Sequence, residues 1–473
     1  MPVARAREFT DKYPGSVQLH LSRRLKTGAT HINFASATAS GNISSLVTCI
    51  FYFGHFRTLM IPSEETLEKL SQVAVKGAEY DSPERQPHPK CLEGTRVNLL
   101  NNIHRLLDNR EKNRLIWLHG MAGIGKSAVA FTVAERMRAL SFISDHATNE
   151  RRLAGSFFFL AQAHHTVHDC VREDVNRSIH KDPALLGPDK SLREQMNALF
   201  LQPLRRLRFR LKESLVFVID AIDECTSETE LADLISLLGQ ALREPNLPVI
   251  HILLTSRLEA HIREAIQKLE VRLADEIPGA TIISLDGTDV DQDIYTFLDY
   301  SFRQLQLRYL DFPPPTRDQL ARLVSRTGRR FIVASTMIKF IVCDGYKDPR
   351  DRFQLILELK CDFLPGTEVY ELYDLILSTC ANPKRAYQQL SIVATLKDPL
   401  SIPQLSKLLG PGQGSDVEEV LVQLRPIMEI PIDNHLPVNI CHSSVRDYAS
   451  DPSNCSLPET FQKARPSLMP SQH

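Results

Sequence analysis

The stretch IWLHGMAGIGKSAVAF, residues 116–131, decides the fold of this chain. It contains the pattern GxxxxGK(S/T), in which Gly120, Gly125, Lys126 and Ser127 hold the fixed positions. An apolar, strand-like run comes before the glycines and a helix-like run follows them, as a phosphate-binding loop requires. The sequence therefore predicts a P-loop. The alternative, a glycine-rich turn with a chance Lys-Ser pair, fits this context poorly.

The predicted loop binds phosphate mainly through its backbone. Consecutive N–H groups of a glycine-rich turn point at phosphate oxygens, and the positive end of the following helix adds to their field. Lys126 is placed to reach the terminal phosphates, and the Ser127 hydroxyl is placed to ligate Mg²⁺. The nucleotide-binding residues predicted in this way are Gly120, Met121, Ala122, Gly123, Ile124, Gly125, Lys126, Ser127 and Ala128.

A second buried strand ends in acidic residues. In LVFVIDAIDEC, residues 215–225, Asp220 closes the apolar run, and Asp223 and Glu224 follow it. A carboxylate at the carboxyl edge of a parallel sheet is where a P-loop protein holds Mg²⁺ through water, so Asp220 is the second predicted metal residue. Asp223 and Glu224 are predicted catalytic residues, with Glu224 placed to orient or deprotonate the attacking water. The alternative is a strand that ends in a solvated acidic turn.

A third buried strand ends in an arginine. VIHILLTSR, residues 249–257, brings Thr255, Ser256 and Arg257 to the same edge of the sheet. A guanidinium at that edge can contact a γ-phosphate and report whether it is present. Taken alone, a strand-end arginine is more often a surface or salt-bridge residue. Its spacing from the other two strands favours the catalytic interpretation.

Composition limits the function classes. The 473 residues are 43% hydrophobic and 24% charged, which is ordinary for a globular chain of several domains. Lys plus Arg number 56 against 57 for Asp plus Glu, so no overall field attracts nucleic acid, and no nucleic-acid partner is expected. The nine cysteines form no CxxC pair, which indicates reduced thiols and a cytoplasmic protein. The longest apolar run, residues 46–53, is too short for a membrane span.

Strand-like and helix-like runs alternate between residues 115 and 285. This alternation is typical of a parallel sheet covered by helices, so we expect an α/β fold, a three-layer P-loop NTPase sandwich with a five-stranded parallel sheet. The expected strands are 115–119, 153–160, 215–220, 249–255 and 281–285, and the expected helices are 126–140, 191–210, 227–243 and 258–270.

Helical patterns take over after residue 285, at 291–305, 317–343, 351–359, 369–380 and 386–396. IPQLSKLLG and DVEEVLVQLRPIM then indicate two helices, and IMEIPID and PVNICHSS indicate two strands, an arrangement that resembles a winged helix. We therefore expect an α-helical domain and then a winged-helix-like domain. The predicted division is an N-terminal region of unknown role (1–79), a linker and helix (80–113), the NTPase domain (114–287), the helical domain (288–385), the winged-helix-like domain (386–452) and a disordered tail (453–473).

Four segments together resemble one known family. GMAGIGKS, GSFFF, FVIDAIDEC and ILLTSRLEAHI are similar to the NACHT branch of the STAND nucleotide-binding proteins, in particular to the fungal group with a nephrocystin-3-like domain. Ala221, after the first aspartate of the acidic strand, and the paired acids Asp223 and Glu224 distinguish this branch from other P-loop NTPases. The resemblance begins at YDSPERQPHPKCLEGTR and covers residues 80–451.

The resemblance implies a signalling switch that binds ATP or ADP with Mg²⁺. In this family a closed monomer holds ADP, hydrolysis is slow, and exchange for ATP opens the protein for self-association or for assembly with signalling partners. GRRFIVASTMIKFI, residues 328–341, resembles the signature of the helical domain. VNICHSSVRDYASD resembles the winged-helix element whose histidine contacts the ADP phosphate, which assigns His442 to the nucleotide. On the residues alone, a packed or surface histidine is the commoner explanation.

Two other function classes stay open. An active ATPase motor would need an arginine finger from a neighbouring subunit and fast product release. A truncated scaffold that no longer binds nucleotide is the third class, because LAQAHHTVHDC, residues 160–170, shortens a crossover that is longer in relatives.

Two local patterns suggest other ligands. His164 and His168 have the spacing of a helical zinc site, beside Asp169 and Cys170, but a solvated loop explains them better because no second ligand pair is near. LRRLRFRLK, residues 204–212, alternates basic and apolar residues. It indicates either a nucleic-acid patch or, more simply, a helix that covers the sheet with its leucines.

Overall fold

The structure of this chain is a computed structural model, and it describes residues 90–109, 114–143, 149–158, 174, 177–186, 190–208, 214–225, 227–273, 280–286, 290–343, 348–359, 368–396, 399–409, 414–431 and 433–455. Several predictions lie wholly or largely outside these residues. They are the N-terminal region 1–79, the linker before residue 90, the short crossover 160–170 with its histidine pair, and the tail.

Five strands form the central sheet. The strands of the described residues are β1 (Arg114–His119), β2 (Ser141–Ile143), β3 (Asn149–Arg151), β4 (Leu153–Phe158), β5 (Leu215–Asp220), β6 (Ile250–Ser256), β7 (Thr281–Ser284), β8 (Met428–Glu429) and β9 (Asn439–Ile440). The central sheet is parallel throughout and has the order β4–β5–β6–β1–β7. The predicted five-stranded parallel sheet is confirmed.

Helices precede, connect and follow these strands. The principal α-helices of the described residues are α1 (Val97–Leu107), α2 (Lys126–Ala139), α3 (Leu192–Met196), α4 (Gln202–Leu207), α5 (Glu228–Arg243), α6 (Ala260–Leu273), α7 (Asp291–Arg308), α8 (Arg317–Arg326), α9 (Phe331–Val342), α10 (Pro349–Glu358), α11 (Glu368–Thr379), α12 (Pro383–Thr395), α13 (Ile402–Leu409), α14 (Gly414–Gln423) and α15 (Ser443–Ser450). Side chains of Ser191, Thr316 and Asn382 cap α3, α8 and α12 by accepting amide hydrogen bonds of the first turn.

Two apolar cores lie on opposite faces of the sheet, because neighbouring residues of a strand point to opposite faces. In β1, Leu115 and Trp117 belong to the core formed with α3 to α6, whereas Ile116 and Leu118 belong to the core formed with α1 and α2. The result is the predicted three-layer α/β fold of a P-loop NTPase, followed by helices.

One predicted helix is in fact two helices. The pattern of residues 317–343 predicts a single helix, but α8 ends at Arg326 and α9 begins at Phe331. Gly328 and Arg329 lie between them in the left-handed region, with φ of 54° and 63°. A right-handed helix cannot continue through such residues, so the prediction of one helix is wrong.

Two smaller differences concern segments with a weak periodic signal. The predicted helix 191–210 is present as α3 and α4, which are joined by the π-helical stretch Asn197–Leu201. The antiparallel pair β2–β3 was not predicted, because strands of three residues are too short to show alternation.

The small C-terminal hairpin is present and shorter than predicted. After the two predicted helices, α13 and α14, strands β8 and β9 pair antiparallel over only two residues each. None of the described helices combines the length and the apolar composition that a membrane span needs.

The chain divides into two compact units. Within the described residues, one unit runs to Ser301 and also includes Arg329–Ile332. The other unit comprises Phe302–Gly328 and the residues from Val333 onward. The predicted domain boundaries at 287/288 and 385/386 stay predictions.

Candidate functional site

The predicted phosphate-binding loop joins the end of β1 to the start of α2. Gly123 and Gly125 have φ values of 76° and 100°, in the left-handed region that glycine adopts without a steric cost. A Cβ at Gly120 would lie 3.1 Å from the carboxylate of Asp286. The glycines are therefore required both by the turns of the loop and by its close neighbours.

Lys126 closes the loop onto itself. Its ammonium donates to the carbonyl oxygens of Gly120 and Met121, at 2.7 and 3.0 Å. Burial lowers the pKa of Lys126, while the carboxylates of Asp223 and Asp220 raise it. A phosphate would supply the buried ammonium with the counter-charge that it needs most in this setting.

Two segments distant in sequence hold the outer side of the loop. The Ile332 amide donates to the Gly123 carbonyl at 3.1 Å, and the Arg96 guanidinium donates to the Ile124 carbonyl at 2.7 Å. The Arg96 guanidinium also lies over the ring of Phe331, 5.3 Å from its centre. Because C=O and N–H of a trans peptide point in opposite directions, these bonds turn the N–H groups of the same two peptide units to the other side.

Asp220 ends β5 almost fully buried, with 1% exposure. Its Oδ1 accepts the Thr255 hydroxyl at 2.5 Å, and Thr255 Oγ1 in turn accepts the Ala221 amide at 2.9 Å. Ala221 is left-handed, with φ of 57°, and turns the chain into the short 3₁₀ turn Ile222–Glu224. The Ser127 hydroxyl and the Asp220 carboxylate are hard oxygen donors of the kind that Mg²⁺ takes, so this donor set fits the ion.

Asp223 and Arg257 form a pair at the same edge of the sheet. The Arg257 amide donates to Asp223 Oδ1 at 3.1 Å, and Arg257 Nε lies 3.4 Å from Asp223 Oδ2. Since β6 lies between β1 and β5, the residue that follows it is flanked by the phosphate-binding loop and by the acidic turn. The structure thus brings Lys126, Asp220, Asp223 and Arg257 together, as the strand ends predict.

His442 has a structural role that sequence reasoning did not assign. It is the N-cap of α15: its Nδ1 accepts the Ser444 amide at 3.1 Å and lies 2.8 Å from Ser444 Oγ. Ser444 Oγ also lies 2.8 Å from the hydroxyl of the buried Tyr373. The predicted contact of His442 with a phosphate stays a prediction.

Two further residues at the loop were not predicted. Asp286 follows β7, and its Oδ1 accepts the Met121 amide at 2.7 Å. The rule that singled out Asp220, a carboxylate just after a buried strand, could have found it. Arg96 carries no such signal, because its role depends on a carbonyl 28 residues away in the sequence.

The basic stretch before β5 supports its simpler interpretation. Leu204 and Leu207 are buried in the core. Arg205 donates twice to Glu244, at 3.1 and 3.0 Å, and Arg206 pairs with Asp174. Among the described residues no group of three or more His, Cys, Asp or Glu side chains is arranged to hold a metal ion, and the predicted zinc histidines lie outside these residues.

Comparisons with known proteins were made for the whole chain. The family model described as Nephrocystin 3, N-terminal, matches residues 94–257. No curated protein matches. Caenorhabditis elegans PCH-2 is 15% identical over 60% of this chain and 72% of its own, with a TM-score of 0.35. A Walker-type ATPase of Pyrococcus abyssi is 15% identical over 77% and 98%, with a TM-score of 0.34. The Aeropyrum pernix ORC1 protein, solved in complex with DNA, is 14% identical over 78% and 95%, with a TM-score of 0.32.

The loop, the sheet order and the family model agree on the general class. The match covers β1, the phosphate-binding loop and the strands that end in Asp220 and Ser256. The chain therefore has the fold and the phosphate-binding loop of a P-loop NTPase.

Proposed function

We propose that this chain is an ATP/ADP-binding switch of the NACHT type, in which slow hydrolysis controls a closed-to-open, assembly-competent transition. The observation that carries the proposal is the group of charges around Lys126, whose pKa is lowered by burial and modified by Asp223, Asp220 and Arg257. A buried cation beside two carboxylates and a guanidinium suits a phosphate chain with its Mg²⁺. The resemblance to the fungal NACHT group supports the regulatory role.

Each residue has a role in the proposal. Lys126 binds the terminal phosphates, and Ser127 and Asp220 hold Mg²⁺, which would neutralise phosphate charge when bound. Glu224 orients the attacking water, and Arg257 contacts the γ-phosphate. The finer parts follow from the resemblance alone: a helical domain at 288–385, a winged-helix-like domain at 386–452 with His442 at the ADP phosphate, and self-association or signalling partners in the cytoplasm.

Slow turnover is favoured over a motor by the pairing of Arg257. Its amide and side chain are both engaged with Asp223, so a guanidinium that acts on the γ-phosphate must first leave a buried carboxylate. A steady-state rate for Mg²⁺-ATP in the usual enzyme range, about 1 s⁻¹ or above, would favour the motor instead.

The first test is to identify any nucleotide that the purified protein carries. The protein is prepared without added nucleotide and denatured, and the supernatant is separated by chromatography, alongside Lys126→Ala and His442→Ala. We expect stoichiometric ADP in the parent, none in Lys126→Ala and less in His442→Ala. A folded parent that is empty and also fails to bind added ATP would support the scaffold class.

A further inference from the structure

The carboxylate of Asp223 holds Arg257 at two points that differ in freedom. Oδ1 accepts from the backbone amide, which the end of β6 fixes, whereas Oδ2 faces Nε of a side chain that can rotate away. The Asp223 side chain is 6% exposed and that of Arg257 is 31% exposed. The carboxylate is therefore the buried, fixed partner, and the guanidinium is the partner open to solvent and to ligand.

Both charges act on the lysine of the phosphate-binding loop. Asp223 raises the pKa of Lys126 and Arg257 lowers it, after burial as the main cause of the shift. A terminal phosphate on Lys126 would therefore lie within the electrostatic reach of the pair. The phosphate is an anion, so it attracts Arg257 and is repelled by Asp223.

We propose that Asp223 sets the discrimination of this site between ATP and ADP, by competing with the γ-phosphate for the guanidinium of Arg257. The inference rests on the proposed function. With ADP bound, the site holds no third phosphate, and Arg257 stays on Asp223. With ATP bound, the guanidinium moves to the γ-phosphate and leaves a buried carboxylate with one partner fewer. This cost falls on ATP alone, so Asp223 biases the protein towards ADP.

Asp223→Asn isolates the competition. The amide oxygen of asparagine can still accept from the Arg257 backbone, but the negative charge that holds the guanidinium is gone. The dissociation constants of ADP and of a non-hydrolysable ATP analogue are measured by calorimetry with Mg²⁺. We expect the ratio of the two affinities to shift about three- to tenfold towards ATP. Glu228→Gln is the matched control, because it removes one charge from an exposed carboxylate paired with His261.

A double mutant separates competition from simple repulsion. Arg257→Ala should weaken ATP binding and leave ADP binding unchanged, and adding Asp223→Asn to it should cause no further shift in the ratio. The proposal is overturned if Asp223→Asn shifts the ratio equally with and without Arg257, since that result means direct repulsion of the γ-phosphate.

Two further measurements guard the interpretation. The same titrations in EDTA should keep the shift, and a shift that vanishes there would mean that Asp223 acts through the metal and would overturn the proposal. If Asp223→Asn does not fold, Arg257→Ala alone decides, and an equal loss of ADP and ATP affinity rejects the proposal. A folded parent that binds neither nucleotide overturns the proposed function itself.

Discussion

His251 is a histidine of β6 with no exposed surface. Its Nε2 donates to the Asn109 carbonyl at 2.7 Å, and Nδ1 has no hydrogen-bond partner among the described residues. Burial lowers the pKa of His251 from 6.5 to about 4. The folded protein therefore keeps this imidazole neutral at pH values where the unfolded chain begins to protonate it.

We expect His251 to make the free energy of unfolding decrease as the pH falls from about 6.5 to about 4. In this window the unfolded state binds a proton at His251 and the folded state does not, so acid favours unfolding by up to about 1.4 kcal/mol per pH unit. Above that window neither state is protonated there and the contribution is constant. Urea unfolding of the parent and of His251→Gln at a series of pH values measures it.

The exposed His435 provides the control for this experiment. His435→Gln should keep the pH dependence of the parent, because an exposed imidazole titrates alike in both states. Identical slopes for the parent and His251→Gln would contradict the assignment.

Arg96, just before α1, links several elements at the phosphate-binding loop. Besides its bond to Ile124, its amide donates to Asp293 of α7 at 3.2 Å, and its guanidinium covers Phe331 at the start of α9. Phe331 in turn contacts Phe297 of α7 edge to face. The left-handed break before α9 is therefore what brings residues 329–332 of this unit onto the loop.

Arg96→Ala should lower nucleotide affinity about tenfold, because a buried, charged hydrogen bond to the loop is lost. Arg105→Ala is the matched control, since that arginine lies on α1, is exposed and bonds only locally to Asn102 in the contacts described here. Nucleotide titration with a fluorescent analogue measures the affinities, and circular dichroism checks that both variants fold. Equal affinities for folded Arg96→Ala and the parent would rule out the positioning role.

The sequence predicts those parts of this site that depend on local pattern. Asp220 and Arg257 each follow a run of buried residues, so their common edge follows from strand alternation and parallel pairing. The contact of Asp286 with Met121 spans 165 residues, and no local period encodes it. The break at Gly328 was missed for a different reason: apolar residues continue at helical spacing on both sides, and only the dihedral angles interrupt the helix.

At the scale of the molecule, a ligand that binds only the folded state stabilises it by mass action. ADP with Mg²⁺ at about 100 times its dissociation constant should add about 2.7 kcal/mol, which corresponds to about 5–10 °C in melting temperature. Differential scanning calorimetry of the parent measures the shift, and Lys126→Ala should show none at the same concentration. A parent that melts at the same temperature with and without ADP would argue against nucleotide binding.

Trp117 is the single tryptophan of the chain and is buried in β1, three residues before Gly120. Its indole N–H donates to Ser256 Oγ at 2.8 Å, and its ring centre lies 4.7 Å from that of His119. All tryptophan emission of this protein therefore originates between the strand that leads into the phosphate-binding loop and the strand that leads to Arg257. The chain carries its own optical probe of that junction, so events there can be followed in real time without a label.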